Sequence, residues 1–142
     1  MTVPYVMREA FRNPDSGKSY LPEVLKLDYN WDSAGEDLIL RIAADAAHPV
    51  LLFDVAHIVR VLFSGGTPAI DVGDGTTADG YIKAASITEG SAGDLAYARD
   101  VANSEVLAEG KYLTANAQVK VTLSVSLAAG AGTVLAFLYR MA

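Results

Sequence analysis

Two histidines, no cysteine and one run of closely spaced aspartates are the residues in this chain whose chemistry needs weighing first. His57 falls on the apolar side of the run Leu51 to Phe63, with no nucleophile near it in the sequence. A histidine in that setting is a hydrogen-bonded core or interface residue rather than a base or a ligand, so it receives no catalytic role. Asp71 precedes, and Asp74 and Asp79 lie within, the run Gly73-Asp74-Gly75-Thr76-Thr77-Ala78-Asp79-Gly80, whose two Asp-Gly pairs mark tight turns. Their oxygens could hold calcium, but the run lacks the alternating acidic ligands, the sixth-position glycine and the terminal glutamate of an EF-hand. No Lys-Ser or Lys-Thr follows the glycines, so the loop is not a phosphate cradle either. Glu36 and Asp37 sit beside a turn, where solvated carboxylates are ordinary. A two-carboxylate glycosidase stays open as a weak alternative, because its residues can stand far apart in a chain. With no nucleophile motif, metal set or cofactor signature, the expectation is a protein that is not an enzyme and takes no cofactor or metal.

The elements that would position these residues are strands. Gln118 to Leu127 alternates Val119, Val121, Leu123, Val125 and Leu127 with polar residues, the period of a half-buried strand. After Ala128-Ala129-Gly130-Ala131-Gly132, the run Thr133 to Tyr139 is apolar on both faces and reads as an interior strand. The spacing predicts a C-terminal hairpin at the centre of an all-β core. The stretch between Lys120 and Arg140 holds about 19 uncharged residues, enough for a bilayer-spanning helix, but Thr and Ser at every second position suit a sheet with one wet face. No membrane partner is expected.

Leu25, Leu27, Tyr29 and Trp31 share one side of a first strand, and Leu38, Leu40 and Ile42 mark a second. The turn Asp32-Ser33-Ala34-Gly35 between them suggests another hairpin. Ala43 to Ala47 reads as a connection ended by His48-Pro49. Leu51 to Phe63 is the longest strand, with Leu51, Phe53, Val55, Val59, Val61 and Phe63 on one side. Ala69 to Val72 is a short strand, and Tyr81 to Ile87 holds one helical turn. Thr88 to Ala98 is a surface excursion, Val101 to Glu109 is a strand or a short helix, and Lys111 to Thr114 is a strand. The sum is a β-sandwich or jelly roll of about seven to nine strands with Gly and Asp turns. Residues 1–22, with Pro4, Pro14, Pro22 and the turn cluster Asn13 to Gly17, form an N-terminal arm, and 23–142 form a single domain. Such a terminus lies on its own domain, frays, or docks on a neighbouring subunit.

Composition narrows the partners. The net charge of −6 with only 11 Lys and Arg lacks the basic footprint for nucleic acid. With 51% hydrophobic and 20% charged residues the chain is globular rather than disordered. The absence of cysteine excludes a disulfide scaffold and fits folding in a reducing cytoplasm. Arg8, Glu9 and Arg12 interrupt any secretory signal. Trp31, Tyr81, Tyr97 and Tyr112 are the aromatics a carbohydrate-binding sandwich would expose, although core or strand-surface packing is the plainer role for them.

One resemblance goes further. The stretch Val55 to Ile82 contains Phe63-Ser64-Gly65-Gly66-Thr67-Pro68, Ile70-Asp71-Val72-Gly73-Asp74 and Asp79-Gly80-Tyr81-Ile82, and the chain closes on Leu138-Tyr139-Arg140. From Val55 to Arg140 this resembles small structural proteins of tailed bacteriophages, the capsid decoration or cement proteins. The resemblance implies a β-sandwich subunit, often trimeric, made in the bacterial host cytoplasm. It also implies binding to the major capsid protein on the outer surface of the virion. On that footing Tyr5, Met7 and Phe11 of the arm, and Asp71, Asp74, Asp79 and Tyr81 of the acidic loop, are the expected interface residues. A minor tail or neck protein and a sugar-binding module are the alternatives.

Overall fold

The computed structural model describes residues 22–87, 91–101, 104–106 and 110–141. Eight strands occur among them: β1 (Pro22–Asn30), β2 (Ile39–Ile42), β3 (Val50–Ser64), β4 (Ile70–Gly73), β5 (Leu95–Tyr97), β6 (Lys111–Leu113), β7 (Ala117–Leu123) and β8 (Ala129–Arg140). They form two antiparallel sheets. The larger runs β1-β8-β3-β5, with β6 also on β3, and the smaller runs β2-β7-β4. This is the all-β sandwich that the alternation predicts, and its strand number falls in the expected range. The helical turn expected within 81–87 is a 3-10 turn at Ala84–Ser86. Tyr5, Met7 and Phe11 lie outside the described residues, whereas Pro22, assigned to the arm, is the first residue of β1.

β8 is the centre of the larger sheet, as its two-faced apolar pattern requires. It pairs with β1 from Pro22↔Tyr139 to Asn30↔Ala131, and with β3 along nearly its whole length. Val134, Ala136 and Leu138 are fully buried between the sheets. From β3, Val50, Leu52, Val55, His57 and Val59 point the same way. The three-residue step from Leu52 to Val55 breaks a strict period of 2, and the register slips between Leu52 and Asp54 to accommodate it. This bulge corrects the single-sided reading of β3. Leu51 and Phe53 turn to the outer face of the sheet, and further shifts beyond Val59 leave Val61 about half exposed. Ile42, Ile70, Val72, Val119 and Val121 of the smaller sheet supply the opposing half of the core.

Neither expected hairpin forms. β1 pairs with β8 and β2 with β7, so the turn after Asn30 carries the chain from one sheet to the other. β7 and β8 are likewise in different sheets. The link Ser124 to Ala128 is an arch, and it lies against a second arch, Gly65 to Ala69, that joins β3 to β4. Ser124 N–H donates to the Ala69 carbonyl at 3.0 Å, Ala69 N–H donates to Ser124 Oγ at 3.1 Å, and Ala128 N–H donates to the Ser64 carbonyl at 2.8 Å. The physical reason is that each link satisfies its backbone polar groups on the other, and Leu127 enters the core between them. Trp31, expected beside Tyr29, lies past the end of β1 and is half exposed for that reason.

Candidate interaction surfaces

The acidic loop follows β4 and folds back on it. Asp74 organises the loop: its Oδ1 accepts from the N–H groups of Thr76 and Thr77, both at 2.8 Å, the side-chain-to-backbone pattern of an Asx turn. Asp71 Oδ1 accepts from Ala84 N–H at 2.9 Å and ties the loop to the 3-10 turn. Asp79 is half-buried beside the Thr77 to Gly80 turn. Among the described residues no group of three or more His, Cys, Asp or Glu is placed to hold a metal ion. The three aspartates are not brought together at one point. Asp71 and Asp74 shape the loop, and Asp74 Oδ2 faces the Lys111 ammonium rather than outward.

Tyr81, expected at an interface, is instead fully buried and offers no surface of its own. It comes after the loop and pairs back on Val72 through backbone bonds, which turns its ring inward. Lys111 Nζ sits 5.4 Å from the centre of that ring, donates to Glu105 Oε2 at 2.8 Å, and lies 3.9 Å from Asp74 Oδ2. Burial alone would lower the Lys111 pKa, but the Glu105 hydrogen bond and the nearby charges outweigh it and raise the value. Burial likewise works against the Asp74 carboxylate, yet the Thr77 and Thr76 N–H groups, with help from Glu105 and Lys111, hold its carboxyl below the usual range. This cluster joins β6, the 104–106 segment and the acidic loop, and nothing in the local sequence around Lys111 announces it. Replacing the ammonium in Lys111→Met leaves two half-buried carboxylates without their cation. The expected loss is about 1 to 2 kcal/mol in urea unfolding, with the largest amide shifts in the loop.

His57 is where the alternation put it, on the apolar side, and it is hydrogen-bonded there. The Tyr29 hydroxyl and His57 Nε2 share a hydrogen bond at 2.5 Å, and Nδ1 is buried with no partner among the described residues. Burial pulls the imidazole down to about 4, against a small opposing pull from Asp94. It is neutral at neutral pH and inaccessible to a substrate. Arg60 reaches across this corner to the carbonyls of Tyr29 and Gly132.

Two outward features were not singled out as interface from sequence. On the outer face of the larger sheet, Phe53 packs against Tyr139 and Phe137 with ring centres 4.8 and 6.0 Å apart, flanked by exposed Val24 and Tyr112. The signal was available in the two-sided apolar pattern of β8, which had been read as burial on both sides. The second is an open groove of about 470 Å³ beside Trp31. No helix among the described residues is long and apolar enough to cross a membrane.

No protein-family model matches this chain, and no curated protein matches it in sequence. Among solved structures, the fold is similar to a chain of the cyanophage Pam1 capsid asymmetric unit, at 17% identity and a TM-score of 0.54. The likeness covers 89% of this chain and 90% of that one, so the two share the sandwich across essentially their full lengths.

Proposed function

We propose that this chain is a structural protein of a phage virion, a decoration subunit that binds the assembled capsid and strengthens it. The observation that carries the reading is the fold-wide likeness to a chain of a cyanophage capsid asymmetric unit. The motif resemblance over Val55 to Arg140 supports it independently. The surface chemistry is compatible: a face of half-exposed aromatics suits packing against another subunit, and a chain of net charge −6 is complementary to a basic partner. In this reading the partner is the major capsid protein, and the subunits associate as trimers. Avidity on a symmetric shell then makes modest single contacts sufficient. Tyr5, Met7 and Phe11, together with Asp71, Asp74 and Asp79, are the proposed contacts, with Tyr81 bracing the loop from inside.

The first test is the copy number of the chain in purified virions by quantitative mass spectrometry. Abundance close to that of the shell protein is expected. A handful of copies per particle would move the chain to the tail or neck, and absence would remove the virion role. A second test deletes residues 1–21, which precede β1. The truncated protein is expected to keep its unfolding midpoint and to lose capsid binding in a sedimentation assay. Undiminished binding would take the arm out of the interface.

A further inference from the structure

At the end of the sandwich where β1 stops, a groove of about 470 Å³ runs between the Trp31–Glu36 turn and the second half of β7. Its origin is the shortness of β2, which pairs with β7 only as far as Lys120. Beyond that point β7 has no strand neighbour on that side among the described residues. Trp31, the only tryptophan in the chain, forms one wall and keeps 41% of its surface exposed. Its position is fixed from several directions. Trp31 N–H donates to the Gly130 carbonyl, Ser33 N–H donates to the Asn30 carbonyl, and Asn30 N–H donates to Ser33 Oγ, each at 3.0 Å. An indole held half in water on a closed turn is a preorganised platform, because little further entropy is lost when a flat ligand settles on it.

The rest of the lining mixes the apolar side chains of Leu38, Ile39, Leu123 and Val125 with hydroxyls and carboxylates. Thr122 and Ser124 come from β7, and Asp32 and Glu36 from the turn. Ser124 Oγ accepts from Ala69 N–H, a bond that does not use the hydroxyl's own proton. Arg41 pairs with Glu36 and holds that carboxylate at the rim. We infer that this groove binds a neutral saccharide, the C–H face of one sugar ring lying on the Trp31 indole and its hydroxyls exchanging hydrogen bonds with the Asp32 and Glu36 carboxylates and the Thr122 and Ser124 hydroxyls. An aromatic wall combined with acceptors and donors is the set of groups a polyol ring requires, apolar on its faces and hydrogen-bonding at its edges. The Asp32 and Glu36 carboxylates are matched by the Lys120 ammonium and the Arg41 guanidinium, so the rim carries no net charge that would favour an ionic ligand.

The inference stands apart from the capsid reading and is tested on the full-length protein in solution. Maltotetraose, cellotetraose, chitotetraose and mannotetraose are titrated to about 10 mM, the weak end of specific binding. The readouts are Trp31 emission and backbone amide shifts. A saturable change with at least one of them is expected, with the shifts clustered at 31–36 and 120–125. Trp31→Ala should weaken that binding by about tenfold or more in the amide titration. Trp31→Phe, which keeps a stacking face, should retain most of it, and Thr122→Ala offers a second, surface-only variant. Flat titrations with every one of these sugars would overturn the inference, as would shifts that map elsewhere or binding untouched by Trp31→Ala.

Discussion

Lowering the pH from 6.5 to about 4 is expected to cost the fold roughly 3 kcal/mol through His57 alone. The imidazole is fully buried, and desolvation of its charged form depresses its pKa from 6.5 to about 4 in the folded protein. Between those values the unfolded chain binds the proton and the folded chain does not. The unfolded state therefore holds more protons in this window, so stability rises with pH across it and is lost as pH falls. Asp54, whose carboxyl burial pushes up, protonates early in the folded state and offsets part of the loss. Asp28 and Asp74 are held below 3.8, so their own losses come at lower pH. The control is Tyr29→Phe with His57→Leu, which removes both members of the buried hydrogen bond and leaves no orphaned polar atom of the pair. Urea unfolding from about pH 7 to about pH 4.5 should show a steep decline for the natural chain and a shallow one for the double variant. Parallel declines would mean that His57 is not the group responsible.

The placement of His57 was legible because period 2 along a strand assigns faces, and a single polar residue on an apolar face has few things it can be. Faces were legible along the regular stretches: Val119 and Val121 in β7, and Val134, Ala136 and Leu138 in β8, are buried as their alternation indicates, whereas Val125, in the same alternation but past the end of β7, is fully exposed. Partners were not. The link from Ser124 to Ala128 is long enough to close a hairpin or to cross the roughly 10 Å between packed sheets, and nothing in its composition distinguishes the two. The same ambiguity hid the crossing after Asn30. The bulge at Phe53 is a different loss, since one inserted residue reverses every later side chain and only the partner strand defines it.

The candidate surfaces follow the same division. Asp74 is turn chemistry as its sequence indicates, because an Asx turn is local, whereas the bond from Ala84 N–H to Asp71 spans thirteen residues and is not announced by the loop's composition. The resemblance makes Tyr81 an expected interface residue and its residue type allows core packing; the backbone pairing of Tyr81 and Ile82 with Val72 turns its ring inward. The Lys111 cluster is assembled from segments that are distant in the chain, so no window of sequence contains it. Trp31 shows how one residue of strand length decides exposure. Had β1 run one position further, the indole would have stayed with Tyr29 rather than lining a groove.

Gly65→Ala is expected to destabilise the protein by about 2 to 5 kcal/mol, the sum of a left-handed backbone penalty and a steric one. Gly65 has a φ of +99°, and an added Cβ would stand 2.6 Å from both the Ala128 nitrogen and the Ser126 carbonyl oxygen. Those atoms are backbone, in the arch between β7 and β8, and they cannot rotate away. The neighbouring chain would have to move as a unit, which would strain the Ala128 to Ser64 and Ser124 to Ala69 bonds that clamp the arches. Gly35 is the internal control. Its φ is +61° and a Cβ there meets nothing within 4 Å, so Gly35→Ala carries only the backbone penalty of about 1 to 2 kcal/mol. The difference between the two variants in equilibrium unfolding thus isolates the contact between arches. Equal losses would show that the arches separate easily. A large excess at Gly65 would assign the glycine-marked motif to the fold, because its glycine lets two sheet crossings lie against each other. Contact with a partner would then rest on the side chains around the motif: the outer aromatic face, the acidic loop and the residues ahead of β1.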